Sequence, residues 1–78
     1  LPYFIVHAGE VFNYTVYAIS EQPLFFYDNT NLFETDYKTG QILFTPAAAD
    51  IGEYSFTITV VDDLGNYKEE EGYMVVTQ

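Results

Sequence analysis

Between Thr39 and Asp63 the chain reads TGQILFTPAAADIGEYSFTITVVDD, and the second half of that stretch constrains the fold most. Tyr54, Phe56, Ile58 and Val60 alternate there with Glu53, Ser55, Thr57 and Thr59. A period of two places the first four on one face of an extended strand and the second four on the other, as in a half-buried antiparallel strand. A helix needs apolar positions three and four apart, and no stretch of this chain keeps that spacing over a useful length. A strand with one apolar face has to bury it against a second layer.

The other segments keep the same rhythm. Leu1 to His7 reads as a first strand, with Pro2 near its start where a missing N–H is tolerated on an edge. Val11 to Ala18 is a second, with Phe12, Tyr14, Val16 and Ala18 inward and Val11, Asn13, Thr15 and Tyr17 outward. Leu24 to Asp28 is apolar on both faces, which predicts a central strand, and Leu32 to Thr35 reads as a short edge strand. Ile42 to Thr45 follows a tight turn in which Gly40 supplies positive φ. After the corner Pro46 to Gly52 comes the long strand Glu53 to Val61, then a hairpin connection, Asp62 to Asn66, containing Gly65. The last strand, Tyr67 to Thr77, loses its alternation at Glu69 to Glu71. Gly72 there predicts a β-bulge, after which Tyr73 and Val75 face inward, with Met74 and Val76 as the alternative. Seven short strands with turn signals roughly every 8–12 residues predict a two-sheet antiparallel sandwich.

Such a sandwich must be held by packing alone, because 78 residues without cysteine carry neither a disulfide nor a Cys/His zinc site. Eight Tyr and seven Phe supply the surface to bury, at roughly 150–250 Å² per ring. Twelve carboxylates against two lysines give a net charge of −10, which excludes nucleic-acid binding and disfavours anionic membrane surfaces. No apolar run approaches the roughly 20 residues of a membrane-spanning helix, so membrane insertion is not expected.

Four motifs resemble the immunoglobulin-like and dystroglycan-type cadherin-like repeats of large prokaryotic surface proteins. Ala8-Gly9-Glu10-Val11-Phe12 is similar to the run that leads into that family's second strand, and Asp36-Tyr37-Lys38-Thr39-Gly40-Gln41-Ile42 to its D-x-x-T-G-x-I turn. Phe44-Thr45-Pro46 with Asp50-Ile51-Gly52-Glu53-Tyr54 resembles its F-T-P and D-x-G-x-Y corner, and Val60 to Asn66 its V-x-D-x-x-G-N hairpin. The likeness covers nearly the whole chain in order. It implies a single immunoglobulin-like or cadherin-like domain over residues 1–78, cut from a larger multidomain protein. It further implies a non-catalytic extracellular spacer or adhesion module, with neighbouring domains and a protein or glycan ligand as partners.

The corner also has a physical reading of its own. Tyr54, two residues after Gly52, can reach an upstream backbone group with its hydroxyl, and Asp50 can accept N–H groups of the turn. Catalytic constellations are missing. The one histidine, His7, ends a strand, Ser20 and Ser55 lack a G-x-S-x-G elbow, and no Gly-rich phosphate loop occurs. Calcium is the one ion that the acidic loops suit. Alternate threading sends Glu10 and Asp50 to one pole and Glu21, Asp36, Asp62 and Asp63 to the other, with Asn66 beside the second set. The D-R-E, D-x-N-D-N and D-x-D motifs of cadherin calcium sites are absent. Asn13-Tyr14-Thr15 forms an N-x-T acceptor sequence. Tyr17, Tyr37 and Tyr67 are the expected exposed contacts. Two or three tyrosines lying coplanar on one exposed face would favour the alternative reading, a carbohydrate-binding module accessory to a secreted hydrolase, whereas a spacer should scatter them.

Overall fold

The computed structural model describes residues 1–78. Six strands follow one another: β1 (Tyr3–His7), β2 (Phe12–Thr15), β3 (Leu24–Asp28), β4 (Gln41–Phe44), β5 (Gly52–Asp62) and β6 (Tyr67–Thr77), with one 3-10 turn at Ala48–Asp50. They form a four-stranded sheet in the order β1-β6-β5-β3 and a two-stranded sheet of β2 and β4. The inner faces of the two sheets meet in one core. Phe4, Val6, Phe26, Phe56, Ile58, Val60, Met74 and Val76 come from the larger sheet, Ile42 from the smaller, and Val16 and Phe33 from its flanks. Edge-on ring contacts knit the layers, with Phe4 against Phe12 at 5.1 Å and Phe33 against Phe56 at 5.0 Å. No helix is long and apolar enough to cross a membrane.

The long strand keeps the expected phase, with Phe56, Ile58 and Val60 buried and Glu53 and Ser55 exposed. Five expectations need correction. β1 runs parallel to β6, Tyr3 opposite Tyr73 through His7 opposite Thr77, so the larger sheet is mixed rather than antiparallel. A parallel pair needs a long crossover, and nearly the whole chain supplies it here. Leu32 to Thr35 forms no strand beyond a single bridge between Thr35 and Ile42. The second strand stops at Thr15. Val16 still turns into the core, its N–H donating to the Gly40 carbonyl at 2.9 Å, while Ala18 is exposed.

β3 is an edge strand of its sheet, not a central one. Its apolar outer face has another cause: the Phe25 ring stacks on Tyr37 at 6.1 Å, and the Phe26 N–H donates to the Tyr37 carbonyl at 2.8 Å. The Asp36–Gly40 turn thus covers part of the open edge of β3.

β6 has no bulge. Its pairing with β5 runs without interruption from Gly52 opposite Val76 to Val61 opposite Tyr67, and Met74 and Val76 face inward while Tyr73 and Val75 face out. Gly72 sits directly opposite Phe56, and a Cβ there would lie 2.4 Å from the ring's Cζ. The glycine yields its share of the core to Phe56, so the strand stays regular.

Candidate functional site

The corner before β5 is closed by its own residues. The Tyr54 hydroxyl donates to the Asp50 carbonyl at 2.6 Å, and Asp50 Oδ2 accepts from the Ala47 N–H at 2.8 Å. Between them these bonds tie the 3-10 turn to the head of the strand, and Gly52 passes under the Tyr54 ring at φ +154°. The Asp36–Gly40 turn is built alike. Asp36 Oδ1 accepts from the N–H groups of Lys38 at 2.9 Å and Thr39 at 3.0 Å, bonds that hold its carboxyl below the usual carboxylate range. Gly40, at φ +77°, approaches the Phe26 ring and the Val16 carbonyl so closely that a Cβ would meet both at 3.0 Å.

In the β5–β6 hairpin the Asp62 carboxylate accepts from the Asn66 side chain at 3.0 Å and from the N–H groups of Leu64 and Asn66, both at 2.9 Å. The Asn66 amide is the main reason its carboxyl also stays acidic. Gly65 takes φ +89° in that loop. Asp36 and Asp62 are therefore spent on their own turns. No three acidic side chains among Glu21, Asp36, Asp62, Asp63 or any others gather as metal ligands, so the calcium set is not assembled within this chain. Calcium needs six to eight converging oxygens, and separated turns do not supply them.

His7 lies on an exposed edge with Nδ1 2.9 Å from Thr77 Oγ1, and neither Ser20 nor Ser55 bonds to it. Asn13 accepts from the Gln41 amide at 3.1 Å on the outer side of the small sheet. Tyr17, Tyr37 and Tyr67 are all exposed, but they do not share a surface. Tyr37 stacks on Phe25, whereas Tyr17 and Tyr67 border a groove of about 430 Å³ floored by Leu24 and Val60.

Two tyrosines outside that expected set do meet. The parallel register puts Tyr3 beside Tyr73 on the outer face of the larger sheet, with ring centroids 4.9 Å apart and planes 30° from parallel. At that separation the rings make a tilted face contact, since two rings lying side by side in one plane would be further apart. The Tyr73 hydroxyl donates to Glu53 Oε1 at 2.5 Å, which raises its pKa to about 12. Beside the pair a groove of about 560 Å³ crosses the sheet, lined by Ser55, Thr57, Gly72, Glu71 and Asn29. The sequence hid this site because β1 and β6 lie some seventy residues apart, and local periodicity says nothing about which strands become neighbours.

No family model matches the chain, and no curated protein matches it. Among solved structures it is similar to an endo-fucoidan hydrolase of glycoside hydrolase family 107, with a TM-score of 0.70 at 23% identity. The likeness covers 96% of this chain and 12% of that protein, so the chain spans about an eighth of the hydrolase it resembles.

Proposed function

We propose that this chain is a non-catalytic accessory module of a larger extracellular polysaccharide hydrolase, built as an immunoglobulin-like β-sandwich. The observation that carries the reading is the structural likeness: nearly all of this chain superposes on a module-sized share of a hydrolase. The chain's own chemistry fits an accessory role. Asp36, Asp50 and Asp62 serve turns, the single histidine sits at a strand edge, and the grooves at Tyr73 and Tyr67 lie open at the surface. A module of this kind contributes by holding or orienting a catalytic domain. Incubating the purified chain with a panel of neutral and anionic polysaccharides should release no new reducing ends. Turnover that survives re-purification would overturn the proposal.

A second reading rests on shape and on the four motifs. The molecule measures 42 × 19 × 18 Å, a rod suited to spacing other domains in a tandem surface protein. Insoluble polysaccharide separates the two roles, since an accessory module that targets substrate is retained on it and a plain spacer passes through.

A further inference from the structure

We infer that the groove beside Tyr3 and Tyr73 binds an uncharged oligosaccharide, an assignment that rests on the accessory-module reading and gives it a ligand class. Outward side chains of β5 and β6 set the groove's profile. Ser55 and Thr57 on β5 are short, so the floor is low, and Gly72, an inner position of β6, lends it only backbone. Tyr73 and Tyr3 rise at one end of it and Glu71 and Asn29 also line it. The Glu53 carboxylate holds the Tyr73 hydroxyl, which fixes the ring before any ligand arrives and lowers the entropy lost on binding. Asn29 is fixed as well, because its Oδ1 accepts from the Thr57 N–H at 2.8 Å and its amide N–H groups are left to donate elsewhere.

The lining therefore offers aromatic surface, two hydroxyls, an amide donor and a carboxylate acceptor within one trough. A sugar ring presents the matching surfaces, with apolar C–H groups on its face and hydroxyls that donate and accept around its rim. Charge selects among glycans. Neither lysine of the chain lines the groove, Glu71 does, Glu53 is bonded to its Tyr73, and the α-ammonium of Leu1, which also lines it, is paired with Glu70, so a sulfated or carboxylated chain meets net like charge.

The test is a titration of the isotope-labelled 78-residue chain with cellohexaose, xylohexaose and mannohexaose, followed by backbone amide shifts. At least one should move Ser55, Thr57, Gly72 and Tyr73 saturably, while dextran sulfate moves none of them. Tyr73→Ala should weaken that binding about tenfold, the scale of one lost aromatic contact. Tyr3→Ala, at an exposed position that folding tolerates, should weaken it less, and Tyr17→Ala on the other groove should leave it unchanged. Silence from all three sugars would overturn the assignment, as would shifts centred on Tyr17 and Tyr67. So would hexalysine moving these amides when the sugars do not, which would give the groove to a basic peptide. The same samples assayed for new reducing ends keep the two proposals apart: turnover defeats the accessory reading, whereas absence of both turnover and binding defeats only the groove.

Discussion

β6 can be compared with itself. From Gly72 to Thr77 its inner positions, Gly72, Met74 and Val76, are buried against the small sheet, and β1 pairs along its other edge. From Tyr67 to Glu71 the alternation continues, but Lys68 is exposed on the inner face, Glu70 is half-buried, and β1 no longer runs alongside. The difference arises from lengths. β5 and β6 have eleven residues each, while β2 and β4 have four, so the larger ladder extends past its cover. One strand thus serves as core at one end and as solvated ribbon at the other, and its composition follows its surroundings.

The largest break in that comparison comes from the packed end. Phe56→Ala removes the ring that fills the space over Gly72 and touches Phe33, and should cost about 3–5 kcal/mol in denaturant unfolding. Glu69→Ser at the open end should change stability by no more than about 0.5 kcal/mol, and an equal loss at both sites would erase the distinction. Gly72→Ala tests the same contact from the other side. The added methyl overlaps the Phe56 ring and should destabilise by about 1–3 kcal/mol, with much of the loss recovered in a Phe56→Leu background. Additive effects in that cycle would mean that the glycine is needed for some other reason.

Smaller effects sharpen the packed end further. Tyr54→Phe deletes the bond to the Asp50 carbonyl and should cost about 0.5–1.5 kcal/mol, seen as a lower melting temperature without loss of fold. The Tyr73–Glu53 bond predicts a pH signature. Because the folded-state pKa of Tyr73 is raised from 10.0 to about 12, its contribution is full below pH 10 and disappears as pH rises toward 12. Melting curves of the wild type should therefore fall more steeply over that window than those of Tyr73→Phe, and parallel curves would remove the bond from the account.

What the sequence disclosed was local. Phe56, Ile58 and Val60 announce their face by alternation, and the turn at Gly40 by its residues, because strand period and turn chemistry are short-range properties. Gly72 was misleading because a glycine inside a strand reads as a bulge until the residue opposite is known, and that residue is Phe56, sixteen positions earlier. Phe33 was missed as core for a similar reason. It lies in a segment without regular structure and is buried by contacts with Phe44 and Phe56 on two other strands. For the candidate site, Tyr67 and Tyr17 were legible as exposed, yet the pairing of Tyr3 with Tyr73 depends on a parallel register that no local pattern encodes.

The uncovered rim of β6 also governs how these molecules treat one another. At neutral pH two copies approaching along Tyr67 to Glu71 bring carboxylate against carboxylate, on bodies that each carry −10, and are turned away before their backbones can zip together. Near pH 4.1, where the charges of the chain balance, that shield is discharged. Self-association should therefore rise as pH falls toward that point, and light scattering reads it.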